Sequence, residues 1–161
     1  MNNTIITVGI SDMKVSNDKS AIIVTYSLGS CVGLTLYDPA VGVGGMIHCL
    51  LPLSKANPNR AQQNPQMFVD SGIPVLLAEL SKFGAQKNRL IAKVAGAGNF
   101  LQANDMFKTG ERNYTVLRKV LWKNNILIKG EDVGGSIPRT MTLYMKTGTT
   151  TIKSRGVETE L

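Results

Sequence analysis

The chain has 161 residues, 43% of them hydrophobic and 18% charged, which suits one sizeable core and excludes a disordered, collagenous or coiled-coil chain. The net charge of +7 is uneven: residues 1–81 hold four Lys or Arg and five Asp or Glu (−1), and residues 82–161 hold fourteen and six (+8). No aromatic interleaving, zinc-finger spacing or RNP-like run accompanies that charge, so nucleic acid is set aside in favour of a solvated basic surface or an acidic protein partner.

In chain order, Met1-Asn2-Asn3-Thr4-Ile5 lacks the basic and uninterrupted apolar regions of a secretion signal, which predicts a cytoplasmic protein with reduced cysteines. Residues 21–26 and 32–37 are β-branched and aromatic on either side of a glycine-containing turn, Leu28-Gly29-Ser30, and read as two strands. A third strand covers 46–51 and stops at Pro52. The apolar stretch around it, Gly44 to Leu53, is far shorter than the roughly 20 residues that cross a bilayer. Residues 54–66 are Asn, Gln, Pro, Lys and Arg with little to bury, which predicts a surface loop or flap. Leu76, Leu80 and Phe83 then follow helical spacing, with Gly84 as the left-handed terminator and a start near Asp70 or Ser71, or a kink, because of Pro74. A strand over 90–94 runs into a Gly96-Ala97-Gly98 turn, and a helix over 113–123 places Leu117, Val120 and Leu121 on one face. Strands over 126–129, 140–144 and 150–153 close the chain. Two helices among about seven strands predict an α+β domain spanning 1–161, with sandwich-like, mostly antiparallel sheets flanked by helices.

The chain has one histidine and two cysteines, all between positions 31 and 49. Cys31 follows Gly29-Ser30 where a turn meets a strand, so some backbone N–H groups there need not belong to a ladder. No helix follows it directly, which leaves His48 to act as the base that makes it a nucleophile. His48 needs an orienting partner, for which Thr25, Asp38 and Asn99 are candidates. Taken singly, each residue also fits an ordinary buried position. Alternation along a strand points Cys49 away from His48, which makes it a structural thiol and argues against a zinc site from Cys31, His48 and Cys49. The Gly96-Ala97-Gly98 run lacks the third glycine and acidic partner of a dinucleotide site and reads as a turn.

Thr25-Tyr26-Ser27-Leu28-Gly29-Ser30-Cys31-Val32-Gly33, Leu36-Tyr37-Asp38-Pro39, Gly44-Gly45 and His48-Cys49-Leu50-Leu51-Pro52 together resemble the chemoreceptor glutamine deamidase family, CheD. Gly110-Glu111-Arg112-Asn113, Asp132-Val133-Gly134-Gly135, Arg139 and Thr147-Gly148 extend the resemblance over about residues 5–155. The family's triad is a Thr six residues before a Cys and a His seventeen after it; here 31 − 25 is 6 and 48 − 31 is 17, which falls on Thr25, Cys31 and His48. Departures such as Val94-Ala95-Gly96-Ala97-Gly98 in place of a Phe-Gly-Gly-Ala-like run, and Pro138 before Arg139, touch the rim and not the triad.

The resemblance implies hydrolysis of particular glutamine side-chain amides on the cytoplasmic helices of methyl-accepting chemotaxis receptors. Cys31 would attack and form a thioester, and N–H groups around Gly29, Ser30 and Val32 would hold the oxyanion. No metal or organic cofactor is implied. It further implies a CheC-type phosphatase as a partner and a fold similar to the catalytic domain of cytotoxic necrotizing factors. A monomer is the default expectation. Two other readings stand beside it: a non-enzymatic adaptor that binds receptor or phosphatase, and a receptor glutamyl methylesterase using the same thiol.

Overall fold

Strand alternation decides the layering. In β4 (Val32–Asp38) and β5 (Val43–Cys49) every residue is buried, so these strands are covered on both faces. Val32, Leu34, Leu36, Val43, Ile47 and Cys49 share one apolar cluster with the helices, whereas Tyr37 and Met46 join a second cluster with residues of the other sheet. The computed structural model describes residues 2–99 and 108–161. Among them are two five-stranded mixed sheets and two long helices, an α+β architecture.

One sheet has the order β1 (Thr4–Thr7), β3 (Ala21–Leu28), β8 (Arg139–Tyr144), β9 (Thr149–Ser154), β10 (Val157–Glu160). The other has the order β2 (Asp12–Ser16), β5, β4, β6 (Ile91–Gly96), β7 (Ile128–Val133). The pairs β1–β3 and β6–β7 are parallel, and the other pairings are antiparallel. Two helices, α2 (Val69–Lys82) and α3 (Thr109–Lys123), cover the outer face of the second sheet through Leu76, Leu80, Leu117 and Leu121. Burying each such leucine contributes roughly 1.5–3 kcal/mol. The order of layers is therefore sheet, sheet, helices.

Several expectations need correction. The two strands expected around the Leu28-Gly29-Ser30 turn are present as β3 and β4, but they belong to different sheets, so the turn crosses between layers. Strands β1, β2 and β10 were not anticipated; each is short, β1 and β10 are mostly exposed and β2 is only half-buried, so the hydrophobic pattern is weak. The polar stretch 54–66 is not an irregular loop: it holds a 3-10 turn, a short helix α1 (Pro58–Gln63) capped by the Asn57 side chain, and the start of another 3-10 turn. Helix α2 begins at Val69 and passes through Pro74. It ends as expected, with Gly84 at φ +93° and N–H groups of Gly84 and Ala85 returning to Ser81 and Leu80. Phe83, expected on its buried face, is 44% exposed because it lies in the cap, past the last helical turn.

Candidate active site

The site is built where the two sheets meet. In β3 the pairing with β8 slips between Thr25 and Leu28, a bulge that carries Ser27 at φ +57°. Two residues on β3, Tyr26 and Ser27, thereby stand against one on β8, Thr140, and both face solvent while Thr25 and Leu28 both point inward. In β5, His48 lies opposite Gly33 of β4, and Cys49 opposite Val32. His48, Gly33 and the position of Cys31 thus share the face turned toward the first sheet, and Cys31 is the diagonal neighbour of His48. Gly33 lets Met141 and Leu28 pack directly on the backbone there, since a Cβ would lie 2.9 Å from Met141 and 3.0 Å from Leu28. Cys49 packs on the opposite, helical face, so Cys31, His48 and Cys49 do not converge as a zinc site would require.

Thr25 and His48 meet across the sheets, with Thr25 Oγ1 2.7 Å from His48 Nδ1. The same hydroxyl donates to the Val8 carbonyl at 2.7 Å. Its one proton is thus used, so it accepts from His48, and the imidazole proton sits on Nδ1. That leaves Nε2 as a bare acceptor, buried and without a partner among the described residues. His48 is 1% exposed and Cys31 8%. Burial pushes the His48 pKa from 6.5 down to about 4, since the protonated ring would lose its hydration and Thr25 offers no charge in return. Burial also raises the Cys31 thiol, a shift opposed in part by its own N–H facing the sulfur. Both shifts favour a neutral thiol and a neutral imidazole.

The segment 29–31 is held by its carbonyls. Gly29 accepts from the Gly98 N–H at 2.8 Å, Cys31 from the Ala97 N–H at 2.7 Å, and Ser30 from Asn113 Nδ2 at 3.0 Å. Among the described residues no oxygen accepts from the Ser30 N–H. Val32 by contrast is a ladder residue paired with both Cys49 and Gly96. The Gly96-Ala97-Gly98 turn, read from sequence as a bare turn, is the clamp on this segment. Gly96 adopts φ +92°, and a Cβ on it would lie 2.5 Å from the Cys31 oxygen. Arg139, buried, fastens the turn from behind by donating to the carbonyls of Gly96 and Gly134.

The rival orienting residues lie elsewhere. Asp38 ends β4 at the pole opposite Cys31 and binds Arg89 at 2.9 Å, together with the N–H groups of Gln86 and Ala40. Those donors hold its carboxyl below the usual carboxylate range against the opposing effect of burial. Asn99 is exposed, and its N–H donates to Gly135. Sequence reasoning missed the Val8 carbonyl, which sits between two weakly patterned strands, and Asn113. The latter left a signal: 113, 117 and 121 form one helical stripe, and a polar residue on that apolar stripe needs a reason.

A family model described as CheD chemotactic sensory transduction matches residues 50–154. The chain belongs to the CheD family. A CheD relative from Syntrophus aciditrophicus, named a probable chemoreceptor glutamine deamidase, is 46% identical over 92% of this chain and 93% of its own length. Probable chemoreceptor glutamine deamidases from Solibacter usitatus (43% identical, 97% of this chain and 92% of theirs) and Pyrococcus abyssi (44%, 89% and 87%) are also similar. Among solved structures, the Bacillus licheniformis hypothetical protein YfiH superposes with a TM-score of 0.48 at 13% identity, covering 76% of this chain and 49% of that one. Among the described residues of this CheD chain, no helix is long and apolar enough to cross a membrane.

Proposed function

We propose that the chain is a cysteine-dependent glutamine deamidase acting on the cytoplasmic region of methyl-accepting chemotaxis receptors. The observation that carries this reading is the buried Thr25–His48 pair, 2.7 Å apart, which leaves Nε2 bare on the face shared with Cys31. The names of the CheD relatives supply the substrate class.

The chemistry follows from the residue types. Cys31 Sγ attacks the amide carbonyl carbon as its proton passes to His48 Nε2, and the carbonyl oxygen gains the negative charge. N–H groups of the bend around Gly29, Ser30 and Val32 hold that oxyanion, with those of Gly29 and Ser30 uncommitted among the described residues and Val32 in the ladder. The C–N bond then breaks, the proton on His48 goes to the leaving nitrogen, and ammonia departs from a thioester. Water attacks the thioester while Nε2 takes its proton; the C–S bond breaks, and the proton returns to sulfur. The balance is amide plus water to carboxylic acid plus ammonia, and every proton passes through one nitrogen. Thr25 holds that nitrogen's tautomer without adding charge, which suits a base that must remain neutral until the attack.

The same reading makes 1–161 one deamidase domain, working in the cytoplasm as a monomer and open to regulation by a CheC-type phosphatase. Mass spectrometry of a receptor cytoplasmic fragment, incubated with wild type and with Cys31→Ala, tests it. Conversion of specific glutamines to glutamates by wild type alone is expected. Binding without conversion by either would favour an adaptor, and release of methanol instead of ammonia a methylesterase.

A further inference from the structure

We propose that Asn113 is a positioning residue of this site, its side-chain amide joining the segment that carries Cys31 to the strand end that carries His48. The inference rests on the proposed roles of those two residues.

Asn113 lies in the second turn of α3 and is fully buried. Its Nδ2 donates to the Ser30 carbonyl at 3.0 Å and to the Leu50 carbonyl at 3.1 Å. Ser30 immediately precedes Cys31, and Leu50 stands two residues after His48. Both acceptors are carbonyls, so the amide can be oriented only one way, with its nitrogen toward them.

The link is placed where the ladder stops helping. Strand β4 begins at Val32 and β5 ends at Cys49, and these two residues are the last antiparallel pair between the strands. Beyond that rung the chains diverge, Cys31 into the bend and Leu50 toward the Met67 carbonyl. No backbone hydrogen bond described there ties one to the other. A single planar NH2 group takes the place of the missing rung, with one proton for each chain, and so sets how far the thiol stands from the imidazole.

A second observation separates this from ordinary cross-linking. Asn113 Oδ1 is buried and accepts nothing from any described residue. A polar side chain kept for stability alone would have both ends satisfied, or would be replaced by an apolar residue on a stripe that continues with Leu117 and Leu121. Here the donor end is used twice and the acceptor end not at all. What the position requires is a two-proton donor directed at those two carbonyls.

The test uses the full-length protein and two readouts. The first is kcat and KM for the receptor fragment. The second is the rate at which iodoacetamide labels Cys31 between pH 6 and 9, followed on the Cys31 peptide so that Cys49 does not contribute. Asn113→Ala should lower kcat by roughly 10- to 100-fold with KM little changed, because a misplacement of about 1 Å between reacting groups costs on that scale. It should also slow Cys31 labelling at neutral pH toward the rate of His48→Gln. Asn113→Asp keeps the shape and the acceptor but loses the donor, so it should behave the same way and serves if the alanine variant does not fold.

Leu121→Ala removes packing from the same helix and should lower the melting temperature while leaving kcat per folded molecule near wild type. The inference is overturned if Asn113→Ala keeps wild-type kcat and labelling, or if Leu121→Ala slows turnover equally. Failure of both Asn113 variants to fold also overturns it, since Asn113 would then belong to the folding framework. If His48→Gln labels like wild type, the nucleophile–base reading itself fails. If His48→Gln is slow and Asn113→Ala is not, only this inference fails.

Discussion

Replacing Thr25 by valine keeps the shape of the side chain and removes one hydroxyl that serves two buried partners. Thr25 Oγ1 donates to the Val8 carbonyl and accepts from His48 Nδ1, both at 2.7 Å. A buried polar group left unpaired costs roughly 1–3 kcal/mol, so losing both bonds should destabilise the fold by about 2–4 kcal/mol after some relaxation. For a chain of this length that is a fall of about 5–15 °C in melting temperature. The kinetic effect has a separate origin. Without the hydroxyl nothing holds the His48 proton on Nδ1, and the tautomer that carries it on Nε2 cannot accept the Cys31 proton. A hydrogen bond of about 1–1.5 kcal/mol favours the Nδ1–H tautomer by roughly tenfold, so removing that preference should lower kcat severalfold at unchanged KM. Thr25→Ser retains the hydroxyl, loses one methyl and should recover most of the rate. The assay is initial ammonia release from a saturating receptor fragment, below the melting point of the weakest variant and scaled to folded protein. Wild-type kcat in Thr25→Val would refute the orienting role, and a serine variant as slow as the valine one would assign the effect to packing.

Stability against acid follows from the buried neutral histidine. His48 titrates near 6.5 when unfolded and near 4 when folded, so from about pH 6.5 down to 4 the unfolded chain binds a proton that the native one refuses. Stability therefore falls over that window, by up to roughly 3 kcal/mol from this group, and the loss stops growing below it. Urea midpoints should show wild type losing more than His48→Gln between pH 7.5 and 4.5, and parallel losses would contradict a neutral His48. Gly96→Ala must fit a Cβ 2.5 Å from the Cys31 carbonyl at φ +92°, whereas Gly134→Ala, at φ +82°, meets nothing within 4 Å. The first should cut kcat at least tenfold, and the second should cost only the roughly 1–2 kcal/mol of a left-handed alanine; equal effects in melting and kinetic assays would show that the close approach does not matter. Asp38→Asn weakens the pair with Arg89 at the far end of β4. Thermal melts should show a loss of roughly 1–3 kcal/mol, with kcat per folded molecule unchanged.

The parts of the molecule that were legible in the sequence are those whose signal is local. The β-branched runs of β3 to β5, the glycine stop of α2 and the Leu117–Leu121 stripe of α3 each reflect alternation or helical spacing, which act over a few residues. The same parity argument separates His48 from Cys49, because successive strand residues must face opposite ways. The single histidine and the two cysteines were likewise readable, whereas the choice of Thr25, Cys31 and His48 as a triad came only from the resemblance to the CheD family.

What the sequence could not carry was pairing between distant segments. Thr25 reaches His48 only because β3 lies in one sheet and β5 in the other, and because a bulge turns Leu28 inward beside Thr25 without reversing the threonine. The Val8 carbonyl, the Gly96–Gly98 clamp and the Asn113 amide enter from 17, 66 and 83 residues away along the chain, measured as 25 − 8, 96 − 30 and 113 − 30. No local propensity encodes such contacts. They arise when two sheets and a helix bury their apolar faces together, and the polar groups brought into that interior must find one another or go unsatisfied. The sequence by itself determined which side chains were available for chemistry and which way each strand faced. The tertiary structure decided which of them met, and the burial that brought them together also keeps His48 neutral.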